Sequence, residues 1–284
     1  MFEINADLPA GNNRLRTVLI CHAEARLDCE GLARWLASFS DLTGLVILHG
    51  TRRQLWQRSR REIRRLGLLR FLDVLAFRLY YKLALEGRDR HWESQTLTGL
   101  SSRYRPLTDA TKVLHAQNPN ASEVQSFVRE LRPDLMIARC KHLLKPEVFG
   151  VPRLGTFVMH PGVCPEYRNA HGCFWALARN DLERVGMTLL KIDAGIDTGP
   201  VYGDFRTEFD EQNESHVVIQ HRMVFDNLET LEERFREIAA GHGRPISTAG
   251  RRSQIWGQPW LTEYLKWRIG AWQRRRRAHC PHLS

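Results

Sequence analysis

Cysteine is sparse and unpatterned in this chain. Six cysteines, at positions 21, 29, 140, 164, 173 and 280, nowhere form a CxxC pair, which argues against a disulfide framework and for reduced thiols in the cytosol. The opening MFEINADLPAGNNRLR has no apolar signal core, so no secretion signal is predicted and a cytoplasmic location is expected. Internal repeats are absent. No long apolar run survives inspection either: residues 51–90 come nearest, and Arg70, Asp73, Arg78 and Lys82 interrupt them too often for a hydrocarbon core. Acidic charge is in short supply, with 32 Asp+Glu against 42 Lys+Arg, a net +10. Such a balance favours acidic partners (phosphorylated substrates, nucleic acid or anionic lipid) and says nothing about fold. What remains is ordinary for a soluble globular protein: 43% apolar and 26% charged residues in 284, enough for one large or two small domains.

Hydrophobic patterning predicts an α/β order. Val18 to Cys21 reads as a buried first strand, Leu32 to Phe39 as a helix and Gly44 to His49 as a second strand, which argues for a parallel sheet. Lys112 to His115 is a third strand candidate. Ser122 to Leu131 reads as a helix, with Ser122 and Gln125 in a capping-box pattern, and Leu135 to Ala138 as the next strand. Val201 to Phe205 is strand-like and His216 to Ala240 a long helix. Residues 91–112 and 241–260 read as loops.

Two segments stand apart by charge. Residues 51–90 hold twelve Arg/Lys among Leu, Phe and Tyr, and apolar positions 68, 69, 72, 75, 76, 79, 80 and 83 follow helical spacing. The plainer reading is an amphipathic helical insertion packed on the domain. The sharper one is a basic surface for lipid headgroups or a polyanionic substrate. The end of the chain reads as a basic, Trp-containing helix and a polar tail, with Trp256, Trp260, Trp267, Trp272 and Arg274 to Arg277 expected to face a membrane together with residues 51–90. Trp with Arg suits a membrane interface, so peripheral contact with an anionic membrane is a second expectation.

The chain is organised around residues 155–202. A short apolar strand, Thr156 to Met159, stops at His160-Pro161-Gly162. A Pro/Gly turn carries Cys164, Pro165, Tyr167 and Arg168, then a helix candidate runs from Cys173 to Arg179. A second apolar strand, Met187 to Ile192, ends in the acidic turn Asp193 to Gly199. A His at one strand end and an Asp after the next strand can meet beyond the carboxyl ends of a parallel sheet, as a proton-transfer pair.

Three segments in this order and spacing, RPDLMIARCKHLLKPEVF, GTFVMHPGVCPEYRN and VGMTLLKIDAGIDTGPV, resemble the folate-dependent formyltransferase family. That family includes glycinamide ribonucleotide, methionyl-tRNA and amino-sugar N-formyltransferases. The resemblance runs from about Val113 to Phe205. It implies a Rossmann-like, mostly parallel sheet flanked by helices over residues 15–206, interrupted by the basic helical insertion at 51–90 and followed by a helical C-terminal extension, 207–284. It also implies 10-formyltetrahydrofolate as co-substrate, beside an amine acceptor. The family uses an Asn, a His and an Asp, the Asn two residues before the His. Here the His is His160 and the Asp is Asp197. The folate pocket is similar to the segment Lys141, His142, Leu143 and Leu144, with main-chain contacts near Asp197 and Thr198. At the Asn position stands Val158, which has no donor. Asn169, where relatives usually have Gly, is the candidate for a relocated amide.

Formyl transfer needs an amine to attack the formyl carbon, a base for its proton, and donors for the charge that develops on oxygen. His160 is of the type that moves a proton near neutral pH, and Asp197 can orient it. The loss of one oxyanion donor costs about 10²–10³ in rate, roughly 2.7–4 kcal/mol. The resemblance therefore implies an N-formyltransferase-like enzyme acting on a primary amine of an amino sugar or natural-product intermediate, acidic if Arg168 binds it. A tRNA substrate is disfavoured, because the residues after Asp197 read as helices and loops where methionyl-tRNA enzymes carry a further β-barrel. Val158 keeps two alternatives open: a formyl-folate hydrolase or other one-carbon or acyl transferase, and a non-catalytic binding protein. Taken singly, His160 suits a turn and Asp197 an Asx-type cap. His160, Cys164, His171 and Cys173 are zinc-ligand types without finger or ribbon spacing, and Cys280 with His282 is weaker still.

Overall fold

Short apolar runs become the middle of one sheet. The computed structural model describes residues 14–51, 62–64 and 66–279; the start of the predicted insertion, Cys280 and His282 lie outside them. Five parallel strands, β1 (Arg16–His22), β2 (Asp41–Leu48), β3 (Lys112–Ala116), β4 (Leu135–Arg139) and β5 (Gly155–His160), are extended at one edge by two more, each antiparallel to the strand before it in the sheet. These are β7 (Met187–Lys191) and β8 (Val201–Phe205), and the order is β3-β2-β1-β4-β5-β7-β8. A two-residue ribbon pairs β6 (Arg168–Asn169) with β9 (Ile255–Trp256). The mostly parallel, Rossmann-like sheet is the expected fold class.

Strands buried on both faces need apolar side chains at every position, and β1 supplies them. Leu19 and Cys21 join one core cluster, Val18 and Ile20 the other. The smaller cluster lies under α4 (Ser122–Leu131) and α5 (Pro146–Phe149). The larger takes in α1 (Ala33–Phe39), α6 (Gly172–Ala178), α7 (His216–Phe225), α8 (Leu228–Ala239) and the buried side of α9 (Leu261–His279). The chain lays down β1, β2 and β3 in one direction and then returns to place β4 on the other side of β1. The crevice at such a switch point is where α/β sheets bind ligands.

Several local expectations change. The predicted loop 91–112 is helical to Arg103, in α3 (Glu86–Arg103), preceded by α2 (Leu68–Tyr80) and a π-helical turn, Tyr81–Leu85. Few apolar residues mark α3, because its attachment is largely polar: the buried Asp89 accepts hydrogen bonds from Tyr81 (2.9 Å) and Ser215 (2.7 Å). Leu97 and Leu100 supply the apolar contact, and Gly31 makes room for it, since a Cβ there would stand 2.6 Å from Leu100 Cδ1. No capping box forms at α4. Ala121 is the N-cap, and the Gln125 amide donates to the Asn120 carbonyl instead. The single helix expected from His216 to Ala240 breaks at Asp226–Asn227, whose side chains bond Arg222, Met223 O and Arg206 O in competition with a continuous helix.

The helix of the basic insertion packs the opposite way from its leucine pattern. Phe71, Val74 and Phe77 are the buried residues of α2, with Phe77 against Phe174, His216 and Tyr264. Leu68, Leu69, Leu72, Leu75 and Leu79, with Leu83 in the π turn, face outward. Among the described residues no helix is long and apolar enough to cross a membrane.

Candidate active site

β5 delivers His160 to the sheet's edge, 3% exposed. Its Nε2 lies 2.8 Å from the Tyr167 carbonyl. A carbonyl only accepts, so Nε2 carries the proton and Nδ1 is the nitrogen left to act. Nδ1 stands 3.4 Å from Asp197 Oδ2. In the neutral ring two acceptors then face each other across a distance that a proton bridges. In the protonated ring they form an ion pair.

Asp197 does not arrive by the expected route. β7 is antiparallel to β5, with Lys191 opposite Phe157 and Thr188 opposite His160, so the end of β7 lies at the start of β5. The acidic turn has to fold back. Asp193 organises it by accepting from Gly195 N (2.9 Å) and Thr198 Oγ1 (2.8 Å). Gly199 allows its tightest point, where a Cβ would stand 1.8 Å from the Lys191 carbonyl oxygen. Asp197 itself has φ +50°, a left-handed conformation that Asp and Asn tolerate better than other side-chain-bearing residues.

The partner loop is pinned from two sides. Asn169 N–H donates to Asp197 Oδ2 at 2.7 Å, and the Asn169 side-chain amide donates to the Trp256 carbonyl. Asn169 (φ +79°) and His171 (φ +54°) are left-handed too, so three residues of this small region hold sparsely populated backbone angles. Sequence reading missed what holds them. The predicted loop 241–260 contributes β9, with Arg168 N–H bonding the Gln254 carbonyl and Gln254 N–H the Pro165 carbonyl, both at 3.1 Å. Arg251 makes a two-pronged pair with Glu166 at 3.0 and 2.7 Å. The Trp256 indole donates to Glu166 O and stacks between Tyr167 and Trp175. With Trp260 against Trp175 and Trp267 2% exposed, three of the four tail tryptophans expected to face a membrane pack on the core instead. Gly162 and Gly172 close the loop, for a Cβ on Gly172 would lie 2.5 Å from Gly162 Cα and 2.8 Å from the carbonyl oxygens of Pro161 and Tyr167.

Val158 lies two residues before His160 in β5, paired with Ala138 and Leu190 and packed with Cys164, Leu190 and Val201. That wall is apolar. Burial, with Asp197 nearby, pushes the Cys164 thiol well above its ordinary range, so it stays a neutral thiol. Arg168 is half-buried and gives one guanidinium N–H to the Ile196 carbonyl, stitching the two loops together.

Lys141 to Leu144 follow β4 beside the switch point. Lys141 N–H donates to His22 Nε2 at 3.0 Å, and Asn120 clamps the far side through Leu143 O (2.9 Å) and Lys145 N (2.7 Å). Leu144 is buried and Leu143 is 67% exposed. Thr198 is exposed, its hydroxyl donating to the Asp193 carboxylate. Arg139, at the end of β4, also escaped the sequence reading. It spans Asp28 (2.9 Å) and the Met159 carbonyl (2.7 Å), next to His160. A charged residue closing a buried strand was the available signal.

His171 and Cys173 take other roles from the zinc reading. Burial pulls His171 down to about 4, and Cys173 Sγ bonds the Gly186 carbonyl. Among the described residues no group of three or more His, Cys, Asp or Glu side chains could hold a metal ion.

A family model described as formyl transferase matches residues 86–235, just over half of the chain. The chain belongs to the formyl transferase family. The match covers His160, Asp197 and the Lys141–Leu144 segment. A methionyl-tRNA formyltransferase of Dehalococcoides mccartyi (strain CBDB1) is 37% identical over 97 residues, 34% of this chain and 31% of that protein. One from Kosmotoga olearia is 31% identical over 130 residues, 45% of this chain and 41% of its own length. The chain thus spans well under half the length of these curated relatives. Among solved structures, a phosphoribosylglycinamide formyltransferase from Anaplasma phagocytophilum aligns over 87% of this chain and 100% of its own, at TM-score 0.51 and 12% identity. A sugar N-formyltransferase from Shewanella sp FDAARGOS_354 aligns over 86% and 76%, at 0.50 and 11%. At such identities the likeness is one of fold, and it places the sheet described above within the family's architecture.

Proposed function

We propose that this protein transfers a formyl group from 10-formyltetrahydrofolate to a primary amine of an amino sugar or natural-product intermediate. The observation that carries this reading is the pairing of His160 Nδ1 with Asp197 Oδ2 at 3.4 Å, its opposite nitrogen occupied by the Tyr167 carbonyl. One acceptor nitrogen and one carboxylate converge so that an amine N–H approaching from the side can reach them. As that nitrogen attacks the formyl carbon, His160 Nδ1 would take its proton, with the imidazolium held against Asp197. The bond from the formyl carbon to folate N10 then breaks, and the imidazolium would return the proton to N10 as tetrahydrofolate leaves. The folate co-substrate, bound along Lys141, His142, Leu143 and Leu144 with main-chain groups near Thr198, supplies an activated one-carbon unit. Charge growing on the formyl oxygen falls to Asn169, which keeps a second amide proton beyond the one given to Trp256, and to nearby backbone N–H groups.

The apolar wall at Val158 supports two other readings, a formyl-folate hydrolase or other acyl transferase, and a binding protein without catalysis. Calorimetric titration with 5-formyltetrahydrofolate, a stable stand-in for the donor, is the first test, with micromolar saturable binding expected. Amines, and methionyl-tRNA as the larger alternative, are then screened against 10-formyltetrahydrofolate. His160→Ala is expected to lose about 10²–10⁴ in rate. Formate release without any amine would point to hydrolysis. No donor binding, or a fully active His160→Ala, would overturn the proposal.

A further inference from the structure

Exposed leucines are concentrated on one helix. Of the fourteen large apolar side chains exposed among the described residues, six belong to α2 and the turn that continues it: Leu68, Leu69, Leu72, Leu75, Leu79 and Leu83. Positions 68, 72, 75 and 79 recur at helical spacing and share one face, with Leu69 and Ala76 beside them. The opposite face already has its partner in the core through Phe71, Val74 and Phe77. Leu69 is 84% and Leu83 77% exposed. A patch of this kind marks an interaction surface rather than scattered surface leucine.

Charge indicates what covers it. Arg70, Arg78 and Lys82 are exposed along the same segment, Arg78 paired with Glu62 at 2.8 Å. Its one acid, Asp73, is taken up by the Thr262 N–H (3.2 Å) and hydroxyl (2.6 Å) at the start of α9. α9 packs on α2 through Tyr264, which meets Phe77 and Tyr80. It carries a second exposed row, Leu265, Ile269 and Trp272, with Arg276 lying 4.7 Å over the Trp272 ring and exposed Arg275 and Arg277 beside it. Leucine on a helix face, basic residues along it and a Trp–Arg pair suit the headgroup boundary of an anionic bilayer. A second copy would instead bring the same basic borders together, each on a chain of net charge +10.

We propose that α2, with the outer row of α9, docks this protein on an anionic membrane surface. Leu68, Leu72, Leu75 and Leu79 enter the headgroup–acyl boundary, and Lys82, with the exposed arginines of α9, meets lipid phosphates. The helix lies on the membrane: its 13 residues span about 20 Å, and its other face stays packed. The buried side of α2 reaches toward the candidate active site, since the His216 ring meets both Phe77 (5.4 Å) and His171 (6.4 Å), two residues beyond Asn169. Docking uses no side chain of the His160–Asp197 pair.

Co-sedimentation of the full chain with vesicles tests this. Wild type is expected to bind phosphatidylcholine vesicles containing phosphatidylglycerol at low salt and to be released at high salt. Leu72→Ser with Leu79→Ser is expected to weaken partitioning about tenfold or more, and Lys82→Glu to weaken it less. Circular dichroism and 5-formyltetrahydrofolate titration should be unchanged in both variants, so that failure to dock is separated from failure of the active-site reading. Equal binding to pure phosphatidylcholine, or none to either vesicle, would overturn the proposal. So would a dimer in light scattering that the double variant abolishes, which would assign the face to a second copy.

Discussion

Asp197 bears two local demands that can be separated by substitution. Its carboxylate accepts the Asn169 N–H at 2.7 Å, and its backbone sits at φ +50°. Asp197→Asn keeps an acceptor oxygen and a residue type that tolerates the left-handed region, so unfolding free energy should fall by about 1 kcal/mol or less. Asp197→Gly suits the backbone but strands a half-buried N–H, at a cost of about 1–3 kcal/mol. Asp197→Ala adds the left-handed penalty of about 1–2 kcal/mol, for a total of about 2–5 kcal/mol. Stability should therefore fall in the order Asp, Asn, Gly, Ala. Urea unfolding followed by Trp fluorescence measures it, because Trp175 and Trp256 stack beside the loop that Asn169 belongs to. An alanine variant as stable as the glycine variant would refute the backbone part of this reasoning. A glycine variant as stable as wild type would refute the hydrogen-bond part. Turnover should behave differently, Asp197→Asn losing activity while it keeps its fold.

Two further perturbations probe the surroundings. Burial holds His216, His171 and His221 neutral, down at about 3, 4 and 4 against 6.5 in the unfolded chain. The unfolded chain takes up protons that the folded one refuses, so stability is full above about pH 6.5 and falls as pH drops from there toward about 3. His216→Phe, placed among Phe77, Phe174 and Tyr264, removes a buried Nδ1 without a partner. It should add about 1 kcal/mol at pH 7 and flatten the acid limb of thermal melts; an unchanged limb would mean that His216 is not part of it. Gly172→Ala drives a Cβ against Gly162 and the Tyr167 carbonyl that orients His160. A loss of about 1–3 kcal/mol in urea unfolding is expected, together with slower turnover; wild-type behaviour in both would show the loop to be looser than drawn.

The sequence by itself determined the sheet. Apolar runs such as Val18–Cys21 and Leu135–Ala138 can be buried only on both faces, and their alternation with helices leaves a parallel α/β order as the compact solution. The resemblance of three segments, among them those holding His160 and the Asp197–Thr198–Gly199 turn, also points to the formyl transferase family. Contacts distant in sequence were decided by tertiary structure alone. The polar α3 folds because Asp89 meets Ser215, 126 residues away. Asn169 is held by Trp256, 87 residues away, through a ribbon too short to leave a pattern. Asp197 reaches His160 through a fold-back across an antiparallel strand, a path that periodicity does not encode. The outward leucine face of α2 has the same origin: helical spacing shows that a helix has two apolar sides, and only packing decides which one the core takes.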